Sequence, residues 1–345
     1  MAEQSRILIL GGYGVFGRLL AAEILQRTGD DVIIAGRQKN RAICLCEELG
    51  AGRAKPLQLD ADDVDSASRS FRDCRAVICA AGPFQDRDPR LPLLAARQGV
   101  HWFDISDSRK WIIQLLAAED LRREAGEHGV TILPGLSTVP ALSGAIIRVL
   151  LRESRNAVLA RTTLYIANRN PKGAGAIASA LQSGFSDPVF IDLPAGRKRA
   201  YRFESPDETL IPQQLGLRAE FRVAFEWNFA NLLIARTQRI KPELKRRLTG
   251  VLEVLSRPFS RWGSDLSCLK VELLDERDQV CANCNLTASG QKLAVLPCLF
   301  AVDSLLGGNL EPGVINPVGW LAPDIWLDKL RAGGVEMVFE HELHE

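Results

Sequence analysis

Two spacings of apolar residues alternate along residues 7–135. Short runs of β-branched and aliphatic residues fall at 7–10, 31–35, 55–59, 76–80, 102–105 and 131–133. Between them, apolar residues recur at helical intervals, as in Leu19, Leu20, Ile24 and Leu25, or Ile43, Leu45 and Leu49. Strands alternating with helices predict βαβ units and a parallel sheet. The strand runs are apolar throughout, as strands covered by helices on both faces must be. The expectation is an α/β fold whose first domain, residues 1–150, is a doubly wound Rossmann sheet of six strands.

The pattern then changes. Ser137 or Thr138 is placed to cap a helical run at 141–151, with Pro140 in its first turn. Residues 161–167 and 217–227 read as longer strands, with Phe221, Val223, Phe225 and Trp227 alternating with Glu220, Arg222, Ala224 and Glu226. A period of two predicts a sheet with one solvated face, so residues 151–292 read as an α+β domain. The basic stretch 236–247 reads as the solvated side of an amphipathic helix, an anion or partner site being the alternative. Two helical runs, 293–306 and 323–330, close the chain, each stopped by a glycine pair.

Composition narrows the classes. The chain has 345 residues, with 43 Lys and Arg against 42 Asp and Glu. That balance argues against a nucleic-acid surface, and no apolar run approaches a membrane span. The polar N-terminus leads into too short an apolar run for a signal peptide. Eight cysteines without a framework spacing read as free thiols of a reducing, cytoplasmic compartment. Cys281-x-x-Cys284 lacks a second ligand pair, so no metal is expected.

The motif with chemistry stands directly after the first strand: Gly11, Gly12, Tyr13, Gly14, Val15, Phe16, Gly17. From Gly12 it reads G-x-G-x-x-G, and it opens an amphipathic helix within a βαβ repeat, the context that gives such a string meaning. Gly12 permits a tight turn, Gly14 lets a pyrophosphate approach the backbone, and Gly17 lets helix and strand pack closely. The helix N-terminus offers free N–H groups to the phosphates. At the end of the second strand, where folds that take NAD carry an acidic residue, stand Ala35, Gly36 and Arg37, with Lys39 and Arg41 beyond. A guanidinium there suits a 2′-phosphate, so NADP(H) is expected over NAD(H).

The remaining carboxyl-end loops complete the expected crevice: Asp60 after the third strand, Ala81, Gly82, Pro83 and Phe84 after the fourth, Ser106 and Asp107 after the fifth. Gly82 and Pro83 would border the nicotinamide ribose and Phe84 its ring. Asp104 reads equally as a site residue or a structural one. His101 and His128 precede strands, and His341 and His344 lie in the polar tail, so no histidine is a good general acid. None of the three tyrosines has a lysine four residues on, which disfavours the usual short-chain dehydrogenase chemistry.

The strings 9–17, 35–37, 80–84 and 102–106 together resemble the saccharopine dehydrogenase-like oxidoreductases. The resemblance covers about the first 140 residues and continues weakly at 170–175 and 312–314. It implies a dinucleotide-binding Rossmann domain, a second domain with a mixed sheet, final helices (293–345) that return to the first domain, and a homodimer. It also implies NAD(P)-dependent chemistry on C–N or activated C=C bonds of a small molecule, held in a cleft between the domains. It places Gly14, Phe16 and Gly17 on the phosphates, Arg37 on the 2′-phosphate, and Pro83 and Phe84 near the nicotinamide. The segment 136–140 departs from the sequence of the amino-acid enzymes, which points away from an amino-acid substrate. Candidates for proton transfer or substrate contact are Asp107, Ser137, Thr138 and Tyr165, with water as another donor. The rival reading is a redox sensor that binds NADP(H) without turnover and signals through a protein partner; a dimerising scaffold is a third.

Overall fold

The computed structural model describes residues 6–85, 87–154, 156–171, 186–227 and 262–341. Its contacts divide the chain into two compact units, Met1–Ser137 with Ala294–Pro317, and Thr138–Leu293 with Val318–Glu345. The first division falls at Ser137, so the helical run expected at 141–151 counts with the second unit, as does the last helix.

The first unit is built on seven parallel strands. These are β1 (Arg6–Leu10), β2 (Asp31–Gly36), β3 (Ala54–Gln58), β4 (Cys74–Cys79), β5 (His101–Asp104), β6 (Thr131–Leu133) and β13 (Gly313–Val314). Their order is β13-β6-β5-β4-β1-β2-β3. The chain moves outward from β1 first one way and then the other, and the carboxyl ends of the strands at that reversal form the natural crevice for a ligand. Ile7, Leu8 and Ile9 point alternately to opposite faces, yet all are fully buried, as a sheet covered on both sides requires. The connecting helices are α1 (Val15–Arg27), α2 (Lys39–Leu49), α3 (Val64–Arg69), α4 (Arg90–Arg97), α5 (Arg109–Ala117) and α6 (Glu119–Glu127). The seventh strand exceeds the sequence expectation. At two residues it is too short to show a period, and it is held by Gly313 N–H to the Val130 carbonyl (2.8 Å) and Ile315 N–H to that of Ile132 (2.9 Å).

The second unit opens with a π-helical turn, Thr138–Leu142, followed by α7 (Ser143–Leu150). Val139 is extended (φ −128°, ψ 133°) and separates Ser137 and Thr138 from α7, which has no side-chain cap, so the capping expected of them does not form. Pro140 crowds the backbone of the residue before it out of the helical region.

The second unit's sheet runs β14-β12-β11-β7-β10-β9-β8. Its strands are β7 (Leu159–Ile166), β8 (Ser186–Leu193), β9 (Gly196–Arg202), β10 (Arg218–Phe225), β11 (Leu266–Leu274), β12 (Val280–Ser289) and β14 (Glu336–His341). Among the described strands of this sheet only β7 and β10 pair in parallel, so it is mixed. The helices are α8 (Asp207–Leu215), α9 (Lys292–Leu306, counted with the first unit from Ala294) and α10 (Pro323–Ala332). On the expected solvated face of β10, Arg222 and Ala224 are buried and Glu220 and Glu226 half-buried. Arg222 is 3% exposed and pairs with Glu220 (3.2 Å) and Asp187 (2.7 Å). Alternation marked two faces correctly, but charges satisfied by one another replace water on the polar one. The basic stretch 236–247 and residues 172–175 lie outside the described residues. No described helix is long and apolar enough to cross a membrane.

Candidate functional site

The glycine motif folds into a cradle between β1 and α1. Gly11 carries the left-handed conformation (φ 76°), one residue earlier than expected, because the chain must turn at once on leaving β1. A Cβ on Gly11 would lie 2.9 Å from Ala81 Cα, so the loop after β4 is pressed against this turn. The Gly11 and Gly12 N–H groups both donate to the Ala35 carbonyl (2.9 and 3.0 Å), tying the motif to β2. A Cβ on Gly17 would collide with the Gly11 carbonyl oxygen. Gly14 starts α1 without any side-chain cap, and the first turn holds no acidic residue. Its leading N–H groups and partial positive charge are left for an anion. Such a cradle fits a dinucleotide pyrophosphate.

Tyr13 leaves the motif for the end of β2. Its hydroxyl accepts the Gln38 N–H at 2.9 Å, and its ring fills the space a side chain at Gly36 would need. Arg37 is exposed just beyond, and its carbonyl accepts from Gln58 Nε2 at 3.3 Å. No acidic side chain occupies positions 35–41.

Arg87, which sequence reasoning missed, braces the neighbouring loops. Its side chain is 7% exposed; it pairs with Asp62 at 2.7 Å and donates to the Ala81 carbonyl. Asp60 is exposed and accepts the Asp62 N–H (3.1 Å). One guanidinium thus links the loops after β3 and β4, a long-range contact without a sequence signature. Gly82 and Pro83 are exposed and joined by a cis peptide. Phe84 is buried against Trp111, ring centroids 6.0 Å apart.

For Asp104 the structure decides between the two readings. It is fully buried. One carboxylate oxygen accepts the indole N–H groups of Trp102 (3.1 Å) and Trp111 (2.9 Å), the other the backbone N–H groups of Ser106 (3.1 Å) and Gly135 (2.9 Å). Burial pushes its carboxyl up, and the four donors oppose that shift. With its acceptor sites engaged, Asp104 is a brace joining the loops after β5 and β6.

The proton-transfer candidates divide between the units. Asp107 is exposed at the carboxyl end of β5; that exposure governs its ionisation more than the crowding that pushes its carboxyl up. Ser137 is half-buried and donates its N–H to the Gly135 carbonyl (2.8 Å). In the second unit, Thr138 is buried in the π-helical turn. Tyr165 is 2% exposed within an apolar cluster including Ile191, Leu193 and Ala224, and burial pushes its hydroxyl up. His101 stands at the amino end of β5, where its Nδ1 accepts the Thr131 N–H (3.0 Å); His128 ends α6 and His341 lies in β14. Burial holds the thiols of Cys74 and Cys79 at about 11. Among the described residues no group of three or more His, Cys, Asp or Glu is placed to hold a metal.

The doubly wound sheet and the glycine cradle are features of dinucleotide-binding folds. Residues 7–133 match the family described as the saccharopine dehydrogenase NADP binding domain. The first unit is thus similar to a saccharopine dehydrogenase-like NAD(P)-binding domain. No curated protein matches the chain by sequence. Among solved structures, saccharopine dehydrogenase (L-Glu forming) from Saccharomyces cerevisiae superposes with a TM-score of 0.64 at 14% identity, over 97% of this chain and 99% of that one. Homospermidine synthase from Legionella pneumophila, in complex with NAD, gives 0.66 at 12% identity over 98% and 91%. Amine dehydrogenase from Mycobacterium smegmatis gives 0.51 at 12% identity over 92% and 96%. At these identities the likeness is one of fold.

Proposed function

We propose that the protein is an NADP(H)-dependent oxidoreductase acting on a carbon–nitrogen bond of a small molecule, with an activated C=C bond as the other substrate class. The observation that carries this is the uncapped glycine cradle beside an exposed Arg37, with no acidic side chain at the end of β2. When bound, the nicotinamide supplies or accepts a hydride at its C4 position.

The chain's own residues bind and orient. The amides opening α1, around Gly14, Val15, Phe16 and Gly17, hold the pyrophosphate, with Gly11, Gly12 and Tyr13 shaping the turn. Arg37 takes the 2′-phosphate by charge-assisted hydrogen bonds, and Gly36 and Asp60 flank it. Ala81, Gly82 and Pro83 border the nicotinamide ribose, and Phe84, backed by Trp111, closes its ring pocket. Such orientation can supply about 7–11 kcal/mol of barrier lowering when the reacting atoms are held in line. Asp107, Ser137, Thr138 and Tyr165 are the candidates for proton transfer or substrate contact, Asp107 being the one open to solvent at a strand's carboxyl end. The carbon–nitrogen class is supported by the names of the three structural neighbours, each given for an amine or amino compound. A homodimer belongs to the same reading and rests on the family resemblance, and a cytoplasmic location rests on the cysteines read as free thiols.

The test is a fluorescence titration with NADPH and NADH, followed by NADPH absorbance with panels of imines and enoyl compounds. Tight NADPH binding with turnover of an imine supports the reading. Binding without turnover on either panel turns it into a nucleotide-responsive sensor, and Arg37→Asp with an unchanged NADPH preference removes the 2′-phosphate assignment.

A further inference from the structure

Arg37, Lys39 and Arg41 crowd one short stretch after β2, and all three are exposed. Cations nearby are matched: Arg18 pairs with Glu48, Arg27 with Glu23, and Lys55 with Asp31. Among the described residues, none of the three has a carboxylate partner. Positive charge accumulated without a counter-charge points to an anion from outside the chain.

Arg41 is nonetheless held. Its guanidinium carbon lies over the Tyr13 ring, 4.7 Å from the centroid. The ring is itself fixed on two sides, by the Gln38 N–H at 2.9 Å on its hydroxyl and by Gly36 against its edge. A guanidinium seated on an aromatic ring keeps donors for a phosphate and gives up less freedom on binding than a loose one. The same ring leaves no space for a side chain at Gly36, at the strand end where NAD-binding folds place their acidic acceptor.

We propose that Tyr13 and Arg41 form a second specificity element for the 2′-phosphate of NADP(H). Arg41 supplies a second guanidinium beside Arg37, and Tyr13 seats it while excluding an acidic side chain from position 36. The proposal rests on the dinucleotide reading above and names which residues would make it selective.

Calorimetric titration of the full chain with NADPH, NADH, 2′,5′-ADP and 5′-AMP tests it. Arg41→Ala is expected to weaken NADPH and 2′,5′-ADP by about tenfold or more, leaving NADH and 5′-AMP within about twofold, and Tyr13→Leu is expected to lower the ratio of NADPH to NADH affinity. Tyr13→Phe keeps the ring and is expected to keep most of the preference. Equal loss for both nucleotide pairs in Arg41→Ala, or no loss for either, overturns the proposal while the dinucleotide reading stands. Wild-type protein that takes up neither NADPH nor NADH removes that reading and the proposal together.

Discussion

The Trp111 indole N–H donates to Asp104 at 2.9 Å, and the same side chain packs against the Phe84 ring with centroids 6.0 Å apart. A buried carboxylate on β5 therefore sets the position of an aromatic side chain on the loop after β4, two elements away. The same carboxylate holds Ser106 and Gly135, so three carboxyl-end loops share one anchor.

Asp104→Asn puts an amide N–H among groups that all donate. The expected cost is about 2–4 kcal/mol in folding stability, read by urea unfolding. Emission from Trp102 and Trp111 should shift in the same variant. A stable Asp104→Asn with unchanged emission would remove the bracing role.

Gly17→Ala places a methyl on the Gly11 carbonyl oxygen, so helix and turn must separate. Overpacking of this kind costs about 1–3 kcal/mol, and the separation opens the cradle. NADPH affinity is expected to fall by about tenfold or more, about 1.4 kcal/mol per decade. Titration at a temperature where the variant is fully folded checks this.

Arg87→Lys keeps a cation but loses the fork that spans Asp62 and the Ala81 carbonyl. The loops after β3 and β4 then separate. NADPH and NADH affinities should fall together, by about threefold to tenfold. A change in their ratio would mean that Arg87 reads the 2′-phosphate rather than bracing the loops.

Asp207, at the start of α8, is fully buried, and burial pushes its carboxyl from 3.8 up to about 7. The Ser143 side chain, on α7, opposes that shift, and the charge of Glu208 acts in the same direction as burial. A carboxyl raised in the folded state contributes its full stability below its unfolded value and loses that contribution as pH rises through the folded one. At about 1.4 kcal/mol per unit, the loss between pH 4 and 7 approaches about 4 kcal/mol as an upper bound. Asp207→Asn should therefore gain stability relative to wild type as pH rises from 5 to 8, measured by denaturant unfolding at each pH. A difference independent of pH would show that Asp207 does not titrate in this range.

Much of the first unit was legible in the sequence. Apolar runs at 7–10, 31–35 and 131–133 became β1, β2 and β6 because burial on both faces demands apolar residues at every position, a local requirement. The glycine turn was legible for a similar reason: a backbone that turns at Gly11 and packs at Gly17 excludes side chains at those positions, whatever lies elsewhere.

What tertiary structure alone decided are contacts between residues remote along the chain. Arg87 gains its role from Asp62, Arg222 from Asp187, and the two-residue β13 from β6; none leaves a periodic trace. Gly36 read as the end of a strand until the Tyr13 ring was found against it, and Asp104 stood undecided until four donors converged on its carboxylate. Period and backbone sterics act over a few residues and are written into local composition. The pairing of a charge or a ring depends on which loops the sheet brings to one edge, and that is settled only when the chain folds.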